Sequence, residues 1–204
     1  DTPPYFFDRE ACVLNATLAF GMSGGAHSSP SPAAISVTVE PAARLTVIEN
    51  DVAFPDPAKH LILSKTLEFL SLADPPLSIS IRNAIPHGSG LGGSSLLTAS
   101  ILCALDVYFN GADRLDSRLS RLVNNVLYVE QMMESGGGWQ DQIGGLFPGV
   151  KCILTVPSRP CEYRIDYLEP GAAALSERSL VIDTRGQRKA AKILTSIRGK
   201  YLDR

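Results

Sequence analysis

Apolar and polar residues alternate one for one through Leu77-Ser78-Ile79-Ser80-Ile81-Arg82, which predicts a strand with Leu77, Ile79 and Ile81 on one face. Beyond a glycine-rich stretch the period lengthens. Residues 94–109 repeat at three and four, as a helix does, and Asn110-Gly111 supplies its stop. A second helix is predicted over 116–134, where Leu119, Leu122, Val123, Val126, Leu127, Glu130 and Met133 fall on one side. Upstream, the nearly continuous apolar run 11–22 reads as a strand packed on both faces, and the Gly/Ser/Pro stretch 23–32 as a loop or hairpin tip. Two β-branched runs, 34–39 and 44–48, flank Glu40-Pro41-Ala42-Ala43 and predict an antiparallel hairpin. After Pro55 and Pro57 a helix is expected over 58–72, with Leu61, Ile62, Lys65, Leu67, Phe69 and Leu70 on its inner side. Apolar strands are expected at 145–156 and 178–183, separated by a Pro/Glu-rich connection, and a basic helix at 187–201. The order of elements is that of an α+β fold, with no internal repeat and no linker that divides it.

The totals narrow the function classes. A chain of 204 residues, 45% hydrophobic and 20% charged, has the composition of a soluble globular domain. A net charge of −2 without a basic cluster argues against nucleic acid as a partner. No apolar run reaches membrane-spanning length, so no membrane partner is expected. Cys12, Cys103, Cys152 and Cys161 show neither CxxC nor metal-ligand spacing and read as idle thiols in a reducing, cytoplasmic setting. Nothing in these totals sets an oligomeric state. The opening Asp1-Thr2-Pro3-Pro4-Tyr5 reads like the middle of a loop, and we expect a fragment of a longer chain.

Chemistry concentrates first at Pro86-His87-Gly88-Ser89-Gly90-Leu91-Gly92-Gly93-Ser94-Ser95, between the strand and the helix. Four glycines within 88–93 let the backbone approach a ligand, and the following helix aims its unpaired N–H groups at the loop. Such a loop cradles phosphate. A Walker A loop would need Lys after the second spaced glycine, where Ser94 stands. The dinucleotide fingerprint is matched literally by Gly88-x-Gly90-x-x-Gly93, yet a second helix follows where its βαβ unit needs a strand. No serine here sits in Gly-x-Ser-x-Gly. The second concentration is Glu130 to Gly145, where a helix runs into Gly136-Gly137-Gly138-Trp139-Gln140-Asp141-Gln142 and Asp141 is expected in a turn.

Pro86-x-x-x-Gly90-Leu91-Gly92-Gly93-Ser94-Ser95 resembles the second signature of the GHMP kinases, the small-molecule kinases named for galactose, homoserine, mevalonate and phosphomevalonate. Gly136 to Gln142, continuing as Gly145-Leu146-Phe147-Pro148-Gly149-Val150-Lys151, resembles L-fucokinases, and Asp1-Thr2-Pro3-Pro4 the end of their sugar-contacting stretch. Val181 to Lys192, with Arg185-Gly186-Gln187-Arg188-Lys189-Ala190, resembles a Thr-Gly-Lys-Thr-Arg-Leu-Ala segment of the same enzymes, with departures at nearly every polar position. Fucokinases usually carry Gly-Thr-Ser-Ser where this chain has Gly92-Gly93-Ser94-Ser95. Heptose-phosphate kinases share the Asp-x-Pro-Pro-Tyr and Gln-Asp-Gln elements and are the nearest alternative. A truncated, non-catalytic nucleotide-binding relative is the other.

The resemblance implies a GHMP kinase N-terminal domain of the ribosomal protein S5 domain 2-like fold over 1–177, without its first strand, and the start of the C-terminal domain over 178–204. It also implies ATP and Mg²⁺ as cofactors and a sugar as substrate, phosphorylated at its anomeric hydroxyl. Pro86, Gly88, Ser89, Gly90, Leu91, Gly92, Gly93, Ser94 and Ser95 would hold the nucleotide phosphates. Ser94, ahead of Ser95, and Glu130 would bind the metal, with Glu134 on the same helix face as the rival carboxylate. Asp141 would take the hydroxyl proton, while Asp1, Gly137, Gly138 and Trp139 would line the sugar, Trp139 by stacking.

Overall fold

The computed structural model describes residues 10–17, 33–112, 115–158, 160–168, 175, 178 and 179, with the side chains of 115–117 and 120 left out. Asp1, the loop at 23–32, the segment 185–190 and the helix expected at 187–201 lie outside them, as does all but the first two residues of the strand expected at 178–183.

Two sheets organise the described residues. One has the order β2-β5-β3-β4 and is built from Ile35–Pro41, Leu77–Asn83, Thr46–Glu49 and Val52–Ala53. The other has the order β1-β6-β7, all antiparallel, from Ala11–Ala16, Val150–Val156 and Glu162–Tyr167. Strand β5 is central, and its alternation places Leu77, Ile79 and Ile81 in the core as the pattern predicts. Helices α1 (Leu61–Phe69) and α2 (Gly93–Asn110) bury Leu63, Leu67, Leu97, Ile101 and Leu105 against that face. Helix α3 (Leu115–Met132) and the short α4 (Gln140–Leu146) cover the second sheet through Val123, Leu127, Trp139, Ile143 and Ile153. Ala99, Leu102, Leu122 and Val126 join α2 to α3, so the two helix-on-sheet layers share one interior.

Several expectations are corrected. The runs 34–39 and 44–48 do not pair with each other. Strand β5 lies between them, antiparallel to β2 and parallel to β3. Ala42 donates to the Pro76 carbonyl at 2.9 Å, so the Glu40–Ala43 link runs on along β5 instead of closing a turn. A parallel pair requires a crossover, and α1 supplies it. The tight hairpin is β3–β4, turned at Asn50 and Asp51, whose φ values of 48° and 64° suit the turn that matches strand twist. Helix α1 begins at Leu61: Pro57–Lys59 form a separate 3-10 turn capped by Asp56, and His60 Nδ1 then accepts from Leu63 N. Strand β1 is covered on one face only, with Cys12 and Leu14 exposed. Residues 145 and 146 end α4, so β6 starts at Val150, and the Pro/Glu-rich connection contains β7. No helix among the described residues is long and apolar enough to cross a membrane.

Candidate active site

The glycine loop leaves β5 under tight control. Asn83 N donates to Asn50 Oδ1 at 2.8 Å, Asn50 Nδ2 donates back to Asn83 O, and Ile85 N donates to Asn83 Oδ1. Gly88, Gly90 and Gly92 then take φ of 74°, 75° and 71°. Alternating left-handed residues turn successive N–H groups to one side, forming an anion-binding concavity. Residues 86–91 are exposed, and Gly92 stands at the N-cap of α2 with no side chain to cap it. The start of an eighteen-residue helix therefore faces the same concavity.

Glu130 reaches this place from the end of α3. Glu134 N donates to Gln131 O and Ser135 N to Glu130 O, the paired bonds that close a helix around a left-handed residue, here Glu134 at φ 57°. That residue lies past the helix end and is exposed, so Glu134 is removed as a rival to Glu130. Glu130 itself is buried, with Ser95 Oγ donating to Oε1 and Gln142 Nε2 to Oε2, each at 2.6 Å. Burial, opposed by the Ser95 hydrogen bond and reinforced by the negative charge of Asp141, pushes its pKa up from 4.5 to about 7. The serine brought onto Glu130 is thus Ser95, buried in the first turn of α2, whereas Ser94 is exposed.

Asp141 is the second residue of α4, not part of a turn. A Cβ added to Gly92 would lie 3.3 Å from Asp141 Cβ and 3.5 Å from its carboxyl carbon, so loop and acid adjoin. Two further glycines bring α4 this close. At Gly145 a Cβ would come 2.4 Å from Leu96 Cδ2 of α2, and at Gly144 one would come 2.6 Å from Asn15 Nδ2 of β1. Behind α4 sits Lys151, a fully buried residue that the sequence reading overlooked. Its Nζ donates to Asn15 Oδ1, Thr17 Oγ1 and Gly144 O at 3.0, 2.9 and 3.1 Å, although burial pulls its pKa down. An ammonium against the last carbonyls of a helix favours that helix end.

The structure therefore brings together Gly92, Ser95, Glu130 and Asp141, and adds Gln142, part of the Gln-Asp-Gln element but given no role by the sequence. Gly137 and Gly138 are buried backbone, with Gly137 O accepting from Gln131 Nε2 at 2.8 Å. The stacking role expected of Trp139 is corrected: its side chain is 0% exposed, packed in the second core, and offers no face to a sugar. Among the described residues no group of three or more His, Cys, Asp or Glu forms a ready-made metal cage.

Residues 59–149 match the family described as GHMP kinases N terminal domain. The whole chain is 32% identical over 219 aligned residues to a bifunctional fucokinase/GDP-fucose pyrophosphorylase of Arabidopsis thaliana, spanning 20% of that protein. Over 80 residues, 39% of this chain and 8% of the relative, it is 39% identical to an L-fucokinase/L-fucose-1-P guanylyltransferase of Bacteroides fragilis. The chain therefore spans a fifth or less of the curated relatives it matches. Its fold is similar to a D-glycero-D-manno-heptose 1-phosphate kinase of Bacteroides thetaiotaomicron, with TM-score 0.54 and 18% identity over 69% of this chain and 50% of that one. Strand order, glycine loop and family match converge on a GHMP kinase N-terminal domain over residues 59–149.

Proposed function

We propose that this domain transfers the terminal phosphoryl group of ATP to the anomeric hydroxyl of a sugar, L-fucose being the substrate favoured by the fucokinase relatives. One observation carries the reading: the glycine loop and Asp141 adjoin, with Gly92 against the Asp141 side chain and Glu130 close enough to feel the charge of Asp141. Phosphoryl transfer needs positioning and charge neutralisation more than covalent chemistry, and these groups supply both. Backbone N–H groups of residues 88–95 hold the phosphates, with the exposed Ser94 hydroxyl in reach of a phosphate oxygen. Asp141 orients the acceptor hydroxyl and takes its proton as the bond to phosphorus forms.

The donor set fits Mg²⁺. Ser95 Oγ and Glu130 Oε1 lie 2.6 Å apart. Adjacent oxygens around an octahedral cation at its 2.0–2.1 Å bond length stand about 2.9 Å apart, so a small outward adjustment suffices. A single carboxylate and a hydroxyl, completed by phosphate oxygens and water, is the hard, sparse ligand set this cation takes. Its chemistry there is neutralisation of charge on the transferring phosphoryl group. Ser95 and Glu130, rather than Ser94 and Glu130, are the residues that hold it.

The test is turnover and nucleotide binding by the intact protein and by Asp141→Asn, with ATP, Mg²⁺ and L-fucose, other free sugars or a heptose phosphate as acceptor. Asp141→Asn lowers kcat by about 10²- to 10⁴-fold and leaves nucleotide affinity within about twofold. Unchanged turnover removes the assigned role. Preference for the heptose phosphate replaces the fucokinase reading, and nucleotide binding without turnover on any acceptor makes the protein a non-catalytic relative.

A further inference from the structure

Gln142 is fully buried in the first turn of α4, directly after Asp141. Its Nε2 donates to Glu130 Oε2 at 2.6 Å, while Ser95 Oγ occupies Oε1. With Glu130 ionised, the form that takes a cation, the amide orientation follows from chemistry, because a carboxylate only accepts. Turning Nε2 to Glu130 commits Oε1 elsewhere, and Gln142 Oε1 is a buried acceptor without a hydrogen-bond partner among the described residues. A buried carbonyl left unpaired costs stability, and an apolar side chain of the same shape would avoid that cost. Glu130 satisfies the Nε2 end of the amide, and a state that brings a donor would satisfy the Oε1 end. A hydrated divalent cation carries such donors on its waters.

We infer that Gln142 is a positioning residue for the divalent cation: its Nε2 fixes the Glu130 carboxylate, and its unpartnered Oε1 accepts a hydrogen bond from the hydration shell of the cation. This rests on the proposed role of Glu130 and deepens it. It also ties two halves of the reaction together. Asp141 and Gln142 are consecutive residues of one helical turn, so the element that sets the acid against Gly92 also sets the carboxylate that holds the cation. Outer partners of this kind orient metal ligands, and their loss typically weakens metal binding about 10- to 100-fold.

The experiment measures binding of a fluorescent β,γ-imido ATP analogue to the full chain, with Mn²⁺ and in EDTA, so that the ratio of the two affinities isolates the contribution of the metal. Thermal melting is followed in parallel. Gln142→Leu reduces that ratio about 10- to 100-fold, leaves the affinity in EDTA within about twofold, and melts somewhat lower than the parent, since Glu130 Oε2 loses its donor. Glu130→Gln reduces the ratio likewise, and the double variant loses clearly less than the product of the two single losses, as expected if Gln142 acts largely through Glu130. A ratio that survives Gln142→Leu but falls in Glu130→Gln overturns the inference and leaves the role of Glu130 standing. Losses that simply multiply in the double variant overturn it as well. A ratio untouched by Glu130→Gln defeats the metal reading itself, and absence of analogue binding to the parent defeats the nucleotide reading. Should Gln142→Leu not fold, Gln142→Asn, which withdraws the amide by one carbon, carries the same expectation. Failure of both to fold makes the side chain a packing group and overturns the inference.

Discussion

Glu130 gives the nucleotide-free protein an unusual dependence of stability on pH. Its carboxyl is 6% exposed, and burial with the neighbouring Asp141 charge raises its pKa from 4.5 to about 7, against the pull of the Ser95 hydrogen bond. Between those two values the folded chain keeps a proton that the unfolded chain has released. The unfolded state then binds fewer protons, so stability falls as pH rises through this window and levels off above about 7. At 1.36 kcal/mol per pK unit the gap converts to about 3 kcal/mol, and near-complete burial leaves little solvent screening to discount. Urea unfolding of the parent and of Glu130→Gln from pH 4.5 to 8 measures it. The substitution carries its own constant offset, so the informative quantity is the change in the difference between the two proteins. That difference shifts by about 3 kcal/mol in favour of Glu130→Gln between the acid and neutral ends. Parallel profiles would mean that Glu130 stays ionised throughout, and the burial argument would be wrong. Adding Mg²⁺ with an ATP analogue flattens the parent's slope, because a cation binds only the ionised carboxylate.

Gly145→Ala places a Cβ 2.4 Å from Leu96 Cδ2, forces α4 away from α2, and lowers stability by about 1–3 kcal/mol and kcat with it; Leu96→Ala in the same chain restores kcat by vacating the space. Recovery of stability without recovery of kcat would show that the spacing of α4 does not set Asp141. Trp139→Phe lowers the melting temperature through lost packing but leaves sugar KM within about twofold, since the indole is fully buried; a KM raised tenfold would restore the stacking role.

The parts of the fold that were legible are those whose local pattern agrees with their burial. Strand β5 alternates because one face meets α1 and α2, and α2 stops at Gly111, which donates to Val107 O. The hairpin expected between 34–39 and 44–48 failed because both runs are β-branched and adjacent in sequence. What decides their pairing is β5, some thirty residues further on, which takes the place between them. Strand β7 carries a period-two pattern, Tyr163, Ile165 and Tyr167 alternating with Glu162, Arg164 and Asp166, but its charges and the prolines at 157, 160 and 170 give the surrounding segment the composition of a loop. The sequence ranks Ser94 ahead of Ser95. Only the rotation of α2 decides that Ser95 meets Glu130.

The site depends most on α4, where the sequence shows least intrinsic order. Seven residues with two consecutive glycines do not hold a helix alone. Its position is imposed from outside: Gly144 admits Asn15, Gly145 admits Leu96, Lys151 holds its last carbonyls, and Gln142 ties its first turn to Glu130. The glycines that weaken α4 as a helix are therefore what let it lie against β1 and α2 closely enough for Asp141 to meet Gly92. A stronger helix former at either position would improve propensity and lose the approach. The phosphate cradle proposed for the glycine loop would rest on backbone geometry alone, and the placing of Gly92 against Asp141 is set by a helix that tertiary packing creates.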